Sequence, residues 1–109
     1  MIYTERFEGI KFDIQTVDLE ISDEIQQQIR DMIKRLQRHI SEINWVDAYF
    51  KSESSQSTDI KTVSVRLGIP GNDAFATESG DQWKTLLKRV EGKLRRQLRK
   101  RKKENITPA

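Results

Sequence analysis

The chain has 109 residues, of which 35% are hydrophobic and 34% charged, with 20 lysines and arginines against 17 aspartates and glutamates. This length suits one domain, and the lack of cysteine excludes disulfide bonds and thiolate chemistry and favours a cytoplasmic protein. No apolar run approaches the roughly 20 residues that span a bilayer, and the acid-containing start MIYTERFEG is not typical of a signal peptide.

The charge is strongly polarised along the chain. Residues 84–103 hold 11 basic residues and a single acid, Glu91, whereas residues 1–83 hold 9 basic and 15 acidic residues. The two parts therefore carry formal net charges of +10 and −6, which the overall +3 conceals. A basic segment of this kind is typical of a protein that binds a polyanion, and nucleic acid is the first candidate.

The first half of the chain predicts a strand followed by a helix. Residues 1–9 are interpreted as an N-terminal extension of uncertain order. From Ile10 to Ile14 apolar and polar residues alternate, which indicates a half-buried strand. Ser22 is expected to cap a helix whose first turn is acidic. Apolar residues then recur every three or four positions from Ile25 to Ile40, which predicts an amphipathic helix of about 18 residues.

The middle of the chain predicts three strands. Residues 46–50 alternate between apolar and polar, and the polar segment SESSQS at 52–57 is interpreted as a mobile loop. Residues 63–69 give the clearest alternation in the chain. The sequence Pro-Gly-Asn-Asp at 70–73 indicates the turn of a hairpin, and a weaker strand follows at 74–78.

The basic segment itself predicts a second helix, with Asp81 as its cap. Its apolar stripe continues as far as Leu98, and the helix is expected to leave the core there as a basic rod or to fray. Arg101 falls on the stripe itself, beyond that point. The apolar residues of the stripe are Trp83, Leu87, Val90, Leu94 and Leu98, with Leu86 at its flank.

The predicted order is β-α-β-β-β-α, an α+β fold in which two helices cover one face of a four-stranded sheet. Because a helix joins the first and second strands, these two are expected to pair in parallel, with the rest forming a meander. We divide the chain into an extension at 1–9, a single domain at 10–103 and a short tail at 104–109.

Two segments of the chain have a distinctive pattern, VDLEISDEIQQQIRDMIKRLQRHISEINWVDAYF at 17–50 and ESGDQWKTLLKRVEGKLRRQLRKRKK at 78–103. They resemble the ribosome hibernation promoting factor family, also called ribosome-associated inhibitors or sigma-54 modulation proteins. In the second segment the matching residues are Asp81, Trp83, Lys93, Leu94, Arg96, Gln97, Leu98 and Lys100. The chain departs from the family pattern in three ways. Leu87 stands where the family often has a second aspartate. The spacing from Trp83 to Leu94 looks one residue longer than usual, and there is an extra N-terminal stretch. We expect no second domain after Lys103, the domain that in long family members serves ribosome dimerisation.

The resemblance implies a fold like that of double-stranded RNA-binding domains. It also implies a ribosome-binding translation inhibitor, a short-form hibernation factor, that docks on small-subunit ribosomal RNA in the mRNA and tRNA channel and inactivates idle ribosomes. Whether such a protein pairs ribosomes is left open. The implied partner is the small ribosomal subunit, and we expect a cytoplasmic protein that is a monomer off the ribosome.

Basic residues of both helices are the expected RNA contacts. The resemblance points to three in the first helix, and the unbalanced charge of the last helix points to the others, since like charges four residues apart repel one another unless a polyanion neutralises them. The predicted RNA-binding residues are Lys34, Arg35, Arg38, Lys88, Arg89, Lys93, Arg95, Arg96, Arg99, Lys100, Arg101 and Lys102.

Two other functions compete with this hypothesis. One is a general RNA-binding protein or RNA chaperone without ribosome specificity. The other is a membrane-surface protein with a basic amphipathic helix, which we disfavour because the apolar stripe is needed to cover the sheet. The single histidine, His39, is interpreted as a surface or capping residue, and no pattern indicates an enzyme, a cofactor, a metal site or a small-molecule substrate. Trp83 and Phe50 are expected in the core, whereas Trp45 and Tyr49 are expected on the outer face of the sheet or covering it.

Overall fold

The part of the chain that the structure describes folds into five strands and two helices. The computed structural model describes residues 2–17, 19–40, 42–55 and 58–106, and their side chains except those of 55, 58 and 102–106. In chain order the elements are β1 (Ile2–Phe7), β2 (Ile10–Thr16), α1 (Asp23–Leu36), β3 (Trp45–Ser55), β4 (Thr58–Gly68), β5 (Ala74–Gly80) and α2 (Trp83–Ile106).

The first strand, β1, is absent from the sequence prediction, so the prediction of four strands is wrong. It pairs antiparallel with β2 through a two-residue turn at Glu8 and Gly9, which have φ angles of 55° and 76°. Two successive positive φ angles are typical of the tight turns that match the twist of a hairpin, and glycine adopts them without strain. The predicted extension at 1–9 therefore contributes an edge strand from Ile2 to Phe7.

The sheet has the order β1-β2-β3-β4-β5. As predicted, β2 and β3 are parallel, with Phe12 opposite Val46, and β3, β4 and β5 form an antiparallel meander. The predicted loop at 52–57 is wrong over 52–55, because β3 and β4 continue their pairing to Ser55 opposite Thr58. The remaining part of that prediction, at 56 and 57, lies outside the described residues.

Helix α1 begins where the sequence predicted. The Ser22 hydroxyl oxygen accepts a hydrogen bond from the backbone N–H of Ile25 at 3.2 Å, as an N-cap does. The helix has 14 residues rather than about 18. It ends at Leu36 because the next residues form a tighter turn, in which the N–H of His39 donates to the carbonyl of Leu36 at 2.9 Å.

Both helices cover one face of the sheet, as predicted. Alternate residues of β2 to β5 point into this layer, and Phe12, Phe50 and Val65 are fully buried there. The helices contribute one apolar stripe each, and Trp83 packs against this core with its ring edge-on to Phe50, the two centroids lying 5.1 Å apart. The buried helical residues are Ile25, Ile29, Met32, Ile33 and Leu36 of α1, and Leu86, Leu87, Val90, Leu94 and Leu98 of α2.

Neither of the two described helices covers the opposite face of the sheet, which is mostly polar. Trp45 of β3 stands on this face directly opposite Gly68 of β4. A side chain at Gly68 would overlap the Trp45 indole, so the glycine provides the space in which this ring lies. At the other side of the face, the Arg66 guanidinium lies 4.7 Å from the centroid of the Phe75 ring.

Side chains of α2 cover the free edge of β5. Four helical residues advance about 6 Å and two strand residues about 6.6 Å, so every fourth residue of α2 meets an edge carbonyl. The side-chain amide of Gln97 makes two hydrogen bonds to the backbone of Phe75. Its oxygen accepts from the Phe75 N–H at 3.0 Å, and its nitrogen donates to the Phe75 carbonyl. The bonds to the carbonyls run from Lys93 Nζ to Thr77 (3.1 Å), from Gln97 Nε2 to Phe75 (2.6 Å) and from Arg101 Nη2 to Asp73 (3.0 Å).

This packing bears on two predictions about α2. Leu98 is the last buried residue among its described side chains, as predicted, but the helix does not fray there: its backbone stays helical to Ile106, and Arg101 donates to the Asp73 carbonyl in the turn before β5. Asp81 is not at the cap position of α2. The carbonyl of Gln82 accepts the first hydrogen bond of the helix, from the Leu86 N–H at 3.1 Å, so Gln82 takes that position. None of the described helices is long and apolar enough to span a membrane.

Candidate nucleic-acid interface

The face of α2 that points away from the sheet is basic. It consists of Lys88, Arg89, Arg95, Arg96, Arg99 and Lys100, which we call the basic face. All are exposed except Arg95, which is half-buried. None of the six forms an ion pair with another side chain that the structure describes. The structure thus gathers half of the predicted RNA-binding residues on one surface of one helix.

Two other predicted RNA-binding residues of α2 lie elsewhere. Lys93 points along the edge of β5, where its ammonium group also lies 3.2 Å from a carboxylate oxygen of Glu78. Arg101 is half-buried against the turn before β5. Both side chains hold α2 on the sheet, so they are less available to a partner than the basic face. Lys102 is helical, but its side chain lies outside the described residues.

Arg35 of α1 faces α2 rather than solvent alone. Its Nε and Nη2 donate to the two carboxylate oxygens of Glu91, both at 2.8 Å. Glu91 is the single acid of the basic segment, and it is only 8% exposed. The hydrogen bonds to Glu91 raise the pKa of Arg35. The pair joins the two helices, which is a structural role for a residue predicted to contact RNA.

The other two predicted residues of the first helix are accessible. Lys34 is exposed in the last turn of α1, and Arg38 is exposed in the turn that follows. Neither has an ion-pair partner in the described part of the chain. They form a smaller basic group beside the helix pair.

The groove between α1 and α2 carries both signs of charge. At one end it is lined by Lys88 and Arg95, which border the basic face, and by the Arg35–Glu91 pair. Farther along, Lys84 forms an ion pair with Glu24, and the Gln28 side chain donates to the Lys84 carbonyl at 3.0 Å. A groove with compensated charges attracts a polyanion less than the basic face does.

A second charged cluster lies at the sheet edge that β1 forms. Arg30 of α1 donates from Nε and Nη2 to the carboxylate of Glu5, at 2.6 Å in both cases, and the Tyr3 hydroxyl donates to the same group at 2.5 Å. The hydrogen bonds from Arg30 lower the pKa of Glu5, and those to Glu5 raise the pKa of Arg30. This cluster fixes β1 against α1.

One residue among those of the basic face was not singled out in the sequence. Gly92 lies in the middle of α2, where a glycine is unfavourable, and its neighbours one turn away on either side are all basic. The signal was available, since a glycine interrupts an otherwise regular helical pattern of charged residues. Among the described residues, no group of histidine, aspartate and glutamate is placed to hold a metal ion.

Comparison with known proteins agrees with this architecture. Residues 12–105 match the family described as sigma 54 modulation protein / S30EA ribosomal protein. A ribosomal subunit interface protein from Coxiella burnetii has a similar structure, with a TM-score of 0.71 and 21% identity over 84% of this chain and 96% of that one. The N-terminal domain of Protein Y from Thermus thermophilus is similar with a TM-score of 0.63 and 17% identity, over 80% of this chain and 92% of that one.

No functionally curated protein matches the chain in sequence. The two solved structures share its fold, and the family match begins at Phe12, so β1 and its turn precede it. The match covers most of the chain, including most of β2, α1, the sheet from β3 onwards and nearly all of α2. It confirms the resemblance that the two sequence segments indicated: the chain belongs to the sigma-54 modulation and S30EA ribosomal protein family.

Proposed function

We propose that this protein is a ribosome-binding translation inhibitor that docks on small-subunit ribosomal RNA near the mRNA and tRNA channel and inactivates idle ribosomes. The observation that carries the proposal is the basic face, six cations on one helix surface without a described ion-pair partner. Membership of the family supports association with the ribosome. One structural relative is named for a ribosomal subunit interface.

Binding by the basic face is expected to depend strongly on salt. Each phosphate that a lysine or arginine neutralises releases condensed counterions, so six such pairs predict a slope of log K against log salt of about −4 to −5. Lysine and arginine bind mainly the phosphates, and A-form RNA is read largely through its shape. The arrangement therefore suits a structured RNA surface.

The proposed inhibition needs no chemical step. A bound domain occupies space that mRNA and tRNA require, and the basic face supplies the affinity. Residues 1–83 carry a net charge of −6 and are therefore repelled by RNA. This repulsion orients the domain so that α2 faces the RNA. The protein would act in the cytoplasm, as a monomer when it is off the ribosome.

Charge reversal on the basic face tests the proposal. We expect the triple variant Arg96→Glu, Arg99→Glu, Lys100→Glu to lose co-sedimentation with purified small subunits while its circular dichroism stays that of the wild type. These side chains form no described hydrogen bond or ion pair with the rest of the fold, which is why the structure should survive. Unchanged co-sedimentation would refute the proposed docking surface.

A matched control separates surface from net charge. The variant Lys11→Glu, Lys51→Glu, Arg66→Glu changes the net charge by the same amount on the helix-free face of the sheet. We expect it to co-sediment nearly as well as the wild type. Equal loss by both triple variants would show that overall charge, not the basic face, governs binding.

The alternative of a general RNA-binding protein predicts a different competition result. If the protein prefers ribosomes, duplex RNA added at equal mass should leave it bound to the small subunits. Displacement by that amount of duplex would favour the general RNA chaperone instead.

A further inference from the structure

Gly92 stands at the centre of the basic face and is not explained by the fold. A glycine inside a helix is unfavourable relative to alanine, because it loses more backbone freedom on folding. A Cβ atom added to Gly92 would meet only Nη2 of Arg96, at 3.6 Å, which is an ordinary van der Waals distance. Alanine would therefore fit at this position in the free protein.

Two other glycines show what a packing reason looks like. A Cβ atom at Gly68 would overlap the Trp45 indole, and one at Gly80 would lie 3.0 Å from Cδ2 of Leu86. Each of these glycines makes room for a neighbouring side chain of the same molecule. Gly92 makes room for nothing within the described structure except the end of one flexible arginine.

The surroundings of Gly92 point to an anionic partner. On a helix, the surface neighbours of a residue are those three and four positions away. For Gly92 these are Lys88, Arg89, Arg95 and Arg96, all of them basic and none ion-paired with a described side chain. Four cations thus surround a short stretch of bare helical backbone.

We infer that Gly92 is the point at which a phosphate of the RNA backbone comes closest to α2, held by the four surrounding cations. Cα atoms lie about 2.3 Å from the helix axis, whereas side chains usually keep a partner about 5–6 Å from that axis. The missing side chain lets a phosphate sink between Lys88 and Arg96 and bond to several cations at once. This inference rests on the proposed function and adds to it the residue that sets how closely the RNA docks.

The inference predicts opposite effects on stability and on binding. Gly92→Ala should raise the melting temperature, because alanine favours the helix. The same change should weaken binding to purified small subunits by about tenfold, which is the equivalent of one charge-assisted hydrogen bond. Gly92→Leu, with a larger side chain, should weaken it further. The slope of log K against log salt should become shallower by about one unit for each phosphate that the variant no longer neutralises.

Thr85→Ala is the matched control. Thr85 is exposed on the same side of α2, two turns earlier, and alanine favours the helix there as well. We expect this variant to gain stability without any loss of affinity. The measurements are thermal unfolding by circular dichroism and co-sedimentation with small subunits over a series of salt concentrations.

Each outcome decides a different point. Affinity of Gly92→Ala equal to or above that of the wild type overturns the inference but leaves the proposed function standing. A lowered melting temperature for Gly92→Ala also overturns it, since the glycine would then serve the fold. A wild-type protein that does not co-sediment at all contradicts the proposed function, and the inference fails with it.

Discussion

Replacing Arg35 by methionine is expected to destabilise the fold rather than to act first on RNA binding. Methionine keeps much of the length and apolar stem of the side chain but removes both hydrogen bonds to the carboxylate of Glu91. That carboxylate lies between two helices with 11% of its side chain exposed, so the variant would leave it without a partner and with little water around it. The destabilisation follows from leaving this one group unpaired.

The size of the effect can be bounded from the geometry. Breaking a fully buried ion pair by removing one partner costs about 3–5 kcal/mol, whereas exposed pairs contribute about 0–1 kcal/mol. The pair at Arg35 lies between these limits, because the arginine side chain is 46% exposed and the glutamate is nearly buried. We therefore expect a loss of about 2 kcal/mol. For a domain of this size that corresponds to a fall in melting temperature of about 10 °C.

Thermal and urea unfolding of three variants test the reasoning. Lys34→Met, the neighbouring base with no described ion pair, should leave stability nearly unchanged. The double variant Arg35→Met, Glu91→Leu should recover most of the loss, since removing both partners leaves no unpaired charge. An Arg35→Met protein that unfolds like the wild type but no longer binds ribosomes would refute the structural role and return Arg35 to the RNA interface.

Three further changes have defined outcomes. Glu5→Gln should destabilise the protein by about 1–2 kcal/mol near pH 7. The bonds from Arg30 lower the pKa of Glu5 in the folded state, so as the pH falls below the ordinary value of 4.5 the unfolded chain takes up the proton first, and folded Glu5 takes it up only at lower pH. The difference between variant and wild type should therefore shrink over this range, and a constant difference would contradict the assignment. Gln97→Ala uncovers the edge of β5, so it should lower stability by about 1–2 kcal/mol and increase light scattering from aggregates on storage. Unchanged scattering would show that other groups protect this edge. Gly68→Ala should cost about 1–3 kcal/mol and alter tryptophan fluorescence as the Trp45 ring is displaced, and an unaltered spectrum would contradict the close packing of the two residues.

Local periodicity accounts for the features that the sequence predicted correctly. The stripe of α2, the Ser22 cap and the alternation in β2 and β4 are each visible within one short segment. The parallel pairing of β2 with β3 followed from one rule of connection, since a helix lies between them.

The features that were missed depend on packing between distant segments. Strand β1 turns Glu5 toward the helix layer, where a carboxylate is unexpected until Arg30, 25 residues later, reaches it. In the same way Arg101 has a position on the apolar stripe that makes sense only beside the turn before β5. The basic face could be predicted as a set, but the separation of Arg35, Lys93 and Arg101 from it could not, because helical periodicity does not show which acids and carbonyls lie nearby.

The position of α2 in the chain has a consequence for how the protein folds as it is made. All five strands and α1 leave the ribosome before α2 does, and until then the inner faces of β4 and β5 lack their cover. Co-translational folding can therefore begin with the hairpins but cannot close the core before Leu98 has emerged. Since the same helix carries the basic face, a nascent chain completes its compact core and the surface that we propose binds RNA in one event.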